Sequence, residues 1–409
     1  MSSPSSHAAA PTTPSSGALG STLSGSLSET ESGDKVLGSI DYADWKRVRA
    51  IFVDDNEEDR EIADRFSSDG LFTTAIIPKG SLSELQDEIL GGLTEGFVPV
   101  IIMDYRLDDR ASAESPVFAH RAGALAAGIR EHRGDVPIVL LTTEDNKIQA
   151  VESNQAISLL FDAVFLKDLV SSTQGRLEVA VAIVDLALGF EKLRGAYRSG
   201  LSWGDIGVIL GMTEAESSTF DSEWPDVLPA NFSSVVNSIL RGLLAERPGL
   251  LLPLADAAGR AGISVESMRQ VLQLNPFLEY SGPFAKIHHR VWRSRLDRAL
   301  LLQDNEVGEA DTRPDIGALY SASRALSAAE AANCVVCGKR RSELSCALCR
   351  LGVDRRHSIV SSEMIVPAWS QPRAICFRCI EDGTAEDERF PGFAQESVDD
   401  VKNGLGDPY

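Results

Sequence analysis

The sequence predicts a multidomain chain: a doubly wound (βα)5 α/β domain, a mainly α-helical middle domain and a small cysteine-rich module. Five short apolar runs alternate with helix-like segments from Ala50 to Leu193, after which the strand signal gives way to helical patterning. All six cysteines lie between Cys334 and Cys379 as three C-x-x-C pairs. With 409 residues and 43% hydrophobic content, the chain is long enough for two or three cores.

Residues 1–45 are rich in Ser, Ala, Thr, Pro and Gly and poor in large apolar side chains, so burial cannot offset the entropy of ordering them, and a disordered tail is expected. The apolar runs at 50–53, 73–77, 98–103, 137–141 and 163–166 read as buried strands. Between them, 81–90 reads as a helix with Ser81 and Glu84 at capping-box spacing, and 177–193 as a helix with one apolar face. Continuous apolar strands alternating with helices imply a parallel sheet covered on both faces, which sets the domain at 46–190. A helical domain follows at 191–302, then a linker with some helix at 303–331, the cysteine module at 332–385 and an acidic tail at 386–409.

No apolar run approaches the roughly 20 residues needed to cross a bilayer, and the N-terminus lacks a secretory pattern, so a cytoplasmic protein without membrane contact is expected. In that reducing compartment the cysteines suggest metal ligands and not disulfides. The net charge of −21 argues against general nucleic-acid affinity; any DNA contact requires a local basic patch.

Polar residues stand at the carboxyl ends of the strands. Asp54 and Asp55 follow the first, Asp104 the third, Thr142 the fourth and Lys167 the fifth. In a doubly wound sheet these positions converge on one crevice. Three clustered carboxylates repel one another, and their oxygen donors favour a hard cation such as Mg²⁺. Such an ion can bridge Asp104 and a phosphoryl group, while Lys167 and the Thr142 hydroxyl contact the phosphoryl oxygens and Asp104 acts as nucleophile.

The stretches IFVDDNEEDR, VIIMDYRLDD, PIVLLTTED and AVFLKD resemble the receiver domain of two-component response regulators, over residues 47–188. The resemblance implies a flavodoxin-like (βα)5 receiver. In it Asp54, Asp55 and Asp104 hold Mg²⁺, Asp104 accepts a phosphoryl group from a histidine kinase or phosphotransfer protein, and Thr142 and Lys167 sense it. A homodimer through the receiver is a further partner expectation. Three positions depart from the family: Asp168 stands in place of the usual proline, Val164 in place of an aromatic switch residue, and Thr143 in place of a small residue. A longer segment, 110–122, follows Asp104 where the family has a short loop.

In the middle region, 254–273 resembles a helix-turn-helix, with Gly262 at the turn and Ser264 as N-cap of the second helix. Glu266, Arg269, Gln270 and Gln273 would face outward, Ser281, Gly282 and Pro283 would form a wing, and a following helix would carry Lys286, Arg290, Arg293, Arg295 and Arg298. DNA binding and simple packing, with the basic helix against the acidic receiver, both fit this pattern. A second such stretch, 201–216, lies in acidic surroundings and reads as a packing unit.

Each C-x-x-C turn can aim two thiolates at one Zn²⁺. Spacing leaves open which two pairs share the first ion; the contexts around Cys334, Cys337, Cys376 and Cys379 resemble treble-clef fingers, including the zinc domain of ClpX-type chaperones, and that resemblance implies these four. Cys346 and Cys349 bring the thiolates to six, more than one site and fewer than two; His357 is either a ligand of a second site or a surface histidine in an Arg-rich turn. The run Glu363-Met364-Ile365-Val366-Pro367 resembles the catalytic strand of HNH nucleases, but Met364 cannot be a general base, so nuclease chemistry would need His357. The leading expectation is a response regulator phosphorylated on Asp104 whose helical and zinc modules deliver the output. The rival is a phosphorylation-independent adaptor in a bacterial conflict or defence system.

Overall fold

The computed structural model describes residues 42–56, 60–78, 80–107, 122–144, 159–223, 229, 231–244, 249–302, 314–338, 342, 344–360, 374–382 and 401. The expected tail through residue 41, the insertion at 110–121, the run 363–367 and the acidic end, Val401 apart, lie outside them.

The five expected strands are all present: β1 (Val48–Val53), β2 (Thr73–Ile76), β3 (Val98–Met103), β4 (Ile138–Thr142) and β5 (Ala163–Leu166). They form one parallel sheet in the order β2-β1-β3-β4-β5, the doubly wound order in which the chain reverses direction between β1 and β3. Every residue of β3 and β4 is buried, as a strand covered on both faces requires.

Helices α1 (Arg60–Ser68), α2 (Leu82–Gly92), α3 (Ala122–Arg133) and α4 (Thr173–Arg198) accompany the sheet. Ile51, Val53, Ile101 and Met103 join Leu85 and Ile89 of α2 and Leu125 and Ile129 of α3 in one core. Strand alternation puts Phe52 and Ile102 on the other face, where α4 packs across β1 and β3. The capping box forms as expected, with Ser81 Oγ accepting the Glu84 N–H and Glu84 accepting the Ser81 N–H at 2.7 Å. Arg130 pairs with Asp162, whose carboxylate also accepts the Ile138 N–H at 2.7 Å, fixing the approach to β5 against the start of β4.

α4 is 26 residues long and runs past the sheet into the helical region, where α5 (Trp203–Ile209) and α7 (Phe232–Asn237) pack on it; α6 (Glu214–Glu223) packs on α5. The stretch expected to be a helix-turn-helix holds two consecutive helices, α8 (Leu254–Ala261) and α9 (Val265–Leu274). Gly262 between them takes the left-handed conformation at φ 65°, and Ser264 Oγ accepts the Ser267 N–H at 3.0 Å. Strand β6 (Leu251–Pro253) pairs antiparallel with β7 (Arg290–Trp292), and Glu279 bridges to Val291.

The basic helix is shorter than its charge pattern implied. α10 covers only Arg293–Leu301, because the preceding residues enter β7 and a chain of turns. Within the span expected to be a linker, α11 (Pro314–Ala328) forms, and its Leu319, Ala322 and Leu326 lie in the same core as Ala257, Met268 and Leu296. The spacing of three and four residues makes that apolar stripe. The cysteine region holds the antiparallel pairs β8 (Leu344–Ser345) with β9 (Gly352–Val353) and β10 (Ser358–Val360) with β11 (Ala374–Cys376), followed by α12 (Phe377–Glu381).

Candidate functional site

The crevice at the carboxyl ends of the strands gathers the expected residues. Asp54 and Asp55 leave β1, Asp104 leaves β3, Thr142 ends β4 and Lys167 follows β5, so the strand reversal places carboxylates on both sides of the switch point. Oxygens of Asp54, Asp55 and Asp104 lie within 4.8 Å of one another, and all three residues are buried. Lys167 Nζ is 3.0 Å from Asp54 Oδ2 and 3.2 Å from Asp104 Oδ1.

Two backbone amides brace the carboxylates. The Asn56 N–H donates to Asp54 Oδ1 at 2.9 Å and the Arg106 N–H to Asp104 Oδ2 at 3.2 Å. Both are Asx turns, in which an aspartate holds the amide two residues on. Sequence reasoning did not single out these turns, although Asp at a strand end is their usual signal. They leave Asp104 Oδ1 as the oxygen turned to the ammonium.

Burial raises the pKa of Asp54 to about 6, outweighing the opposing pull of Lys167, and burial likewise raises that of Asp104. One ammonium against three clustered carboxylates leaves negative charge in a poorly solvated place, which a divalent cation would offset. The donors are all oxygens, the set that suits Mg²⁺. The Thr142 hydroxyl is fully buried and has no hydrogen-bond partner among the described residues. An unmade buried hydrogen bond costs ~1–3 kcal/mol, so a hydroxyl left unpaired at a strand end of the crevice is suited to an incoming acceptor. Of the residues that depart from the receiver pattern, Val164 packs against the core while Thr143 and Asp168 are exposed.

The arginines expected to form a basic patch are mostly occupied within the protein. Arg290 is buried in β7 and donates to the Leu244 carbonyl from Nε at 3.0 Å and Nη2 at 2.7 Å. Arg295 donates to the carbonyls of Phe277 and Gly211, lies 3.4 Å from Glu216 Oε2 and stacks on Phe277 and Trp292. Arg293 faces Asp297, and Arg298 is exposed. On α9, Glu266, Gln270 and Gln273 are exposed as expected, and Arg269 is tied to Glu266 at 2.9 Å.

The six cysteines are free of disulfides, and their grouping corrects the expected one. Cys376 and Cys379 converge with Cys346 and Cys349, not with Cys334 and Cys337; the four sulfurs lie within 4.8 Å of one another. The reason is strand geometry. Cys346 forms a parallel bridge to Ala374, and its Sγ accepts the Cys376 N–H at 3.3 Å, which brings the 346–349 turn over the start of α12. Cys334 and Cys337 gather instead with His357, which is buried and not on the surface. The tetrathiolate set fits a structural Zn²⁺.

No protein-family model and no curated protein matches the chain. Among solved structures, a response regulator receiver domain protein from Clostridium thermocellum is similar at 14% identity over 34% of this chain and 93% of its own, with a TM-score of 0.25. Full-length FixJ from B. japonicum is similar at 16% identity over 48% of this chain and 98% of its own, with a TM-score of 0.23. The response regulator RcsB from Salmonella typhimurium, described with its DNA interaction, is similar at 13% identity over 43% of this chain and 89% of its own, with a TM-score of 0.22.

Proposed function

We propose that the chain is a phosphorylation-dependent signal receiver whose phosphoacceptor is Asp104. The observation that carries this reading is the convergence of Asp54, Asp55 and Asp104 with Lys167 in one buried cluster at the β1/β3 switch point. Asp54, Asp55 and Asp104 are the residues that would hold Mg²⁺, which when bound supplies positive charge to the phosphoryl oxygens. Asp104 Oδ1 attacks phosphorus of a phosphohistidine on a kinase or phosphotransfer protein, and the P–N bond breaks as the imidazole leaves with its electron pair and takes up a proton. Lys167 then exchanges its carboxylate partner for a phosphoryl oxygen, and the Thr142 hydroxyl donates to another.

The output runs through the helical region and the zinc-binding module. In that region α8 and α9, with β6 and β7, make a winged helix-turn-helix whose α9 presents Glu266, Gln270 and Gln273; the DNA form of this output is tested by phosphorylation-dependent gel shift. Treatment of the full chain with acetyl phosphate and Mg²⁺, read by intact mass, is expected to add one phosphoryl group, and Asp104→Asn to abolish it. Absence of the adduct from the native chain overturns the reading, and biological function that survives Asp104→Asn marks the adaptor instead.

A further inference from the structure

The cysteine module contains a second set of soft donors apart from the tetrathiolate cluster. Cys334 Sγ, Cys337 Sγ and a ring nitrogen of His357 lie within 4.8 Å of one another, with Cys334 Sγ 3.3 Å from His357 Nδ1. Two local devices present them. The Cys334–Cys337 turn is closed by the Gly338 N–H donating to the Cys334 carbonyl at 2.8 Å, with Gly338 at φ 67°. His357 ends the 3₁₀ turn Arg355–His357, which Asp354 caps by accepting the Arg356 N–H at 2.8 Å.

A thiol beside an imidazole is also the arrangement of a nucleophilic dyad, but a nucleophile must reach its electrophile. Cys334 is 1% exposed and His357 3%, which closes that route and suits a metal ligand set. Two thiolates at C-x-x-C spacing with one imidazole are donors for Zn²⁺, and they leave one of its four tetrahedral positions for a water or another donor.

We propose that Cys334, Cys337 and His357 bind a second Zn²⁺, so that the module is a two-ion unit with alternating ligands. In chain order, Cys334 and Cys337 serve this ion, Cys346 and Cys349 the other, His357 this one again, and Cys376 and Cys379 the other. The count of two ions rests on reading the tetrathiolate cluster as a zinc site; the second site itself does not. The ligand sets meet on one ladder, since Ser358, next to His357, pairs with Cys376. Upstream of Cys334, Ala331 bridges to Ile263 and the Ala332 N–H donates to the Gly262 carbonyl at 2.9 Å. The second ion therefore also secures the module to the corner between α8 and α9.

The test is zinc content of the purified full chain by plasma mass spectrometry, combined with Co²⁺ substitution. The native chain is expected to hold two ions, His357→Ala one, and His357→Cys two with stronger thiolate-to-Co²⁺ absorption. Should His357→Ala misfold, the His357→Cys chain decides: the native zinc content with stronger thiolate-to-Co²⁺ absorption supports the site, and absorption unchanged from the native chain overturns it. Cys346→Ser/Cys349→Ser is expected to keep the ion at Cys334, Cys337 and His357. If that double variant loses no zinc while His357→Ala still loses one ion, the tetrathiolate reading fails and the second site stands. A native chain whose Cys334 and Cys337 are alkylated by iodoacetamide as freely as in denaturant, or a His357→Ala chain that retains two ions, overturns the proposal.

Discussion

Lys167 Nζ donates to Asp54 Oδ2 at 3.0 Å, joining the end of β5 to the end of β1 across the two strands that separate them in the sheet. The bond fixes the crevice from its far side and supplies a cation to carboxylates that burial would otherwise leave uncompensated. Lys167→Met is therefore expected to destabilise the Mg²⁺-free chain by about 3 kcal/mol, the scale for removing one partner of a buried pair. Mg²⁺ should recover more stability in this variant than in the native chain. Thermal melts with and without Mg²⁺ check both.

Arg290 and Arg295 are expected to act on stability and not on salt-dependent DNA affinity. Arg290→Ala leaves the Leu244 carbonyl without its two guanidinium donors, which should cost ~1–3 kcal/mol in urea denaturation. A variant of native stability that loses only nucleic-acid binding contradicts this.

Asp185, on α4, accepts the Lys286 N–H at 2.8 Å, and burial raises its pKa from 3.8 to about 6 against the opposing pull of that bond, Lys286 and Lys192; Tyr280 also faces it. The folded chain thus holds this proton more tightly than the unfolded one. Its contribution to stability is full below pH 3.8 and is lost as pH rises through about 6. Asp185→Asn keeps the acceptor for Lys286 and removes the titration, so it should stabilise the chain at pH 7.5 by ~1–2 kcal/mol, allowing for solvent screening of a partly exposed group. Stability measured from pH 4 to 7.5 should slope less in this variant.

Gly189 meets the Phe284 ring so closely that an added Cβ would stand 2.5 Å from it, and Phe284 itself holds the left-handed φ of 70°. Gly189→Ala is expected to cost ~1–3 kcal/mol through overpacking. Amide exchange around 284–288 should accelerate in the same variant.

The five-stranded sheet was legible because each strand is a continuous apolar run and each candidate site residue sits where such a run ends. Asp54, Asp104 and Lys167 could be placed together from topology alone. The sharing of cysteines was not legible. All three C-x-x-C turns offer the same spacing, and the pairing of 346–349 with 376–379 depends on a bridge between Cys346 and Ala374 that no local pattern announces. The basic residues left DNA binding and packing both open for a related reason: guanidinium count measures charge, while Arg290 and Arg295 are engaged by carbonyls and an acidic side chain that only the tertiary fold brings near.

The unbroken course of α4 has a mechanical corollary. At ~1.5 Å per residue its 26 residues span ~39 Å, with one stretch lying on β1 and β3 and a later one gripping the Phe284 loop. The helix passes from the sheet to the helical region without a break, so a tilt of its first stretch reaches its later one as the same rigid rotation. A protease would find no exposed joint at which to part the two along this helix.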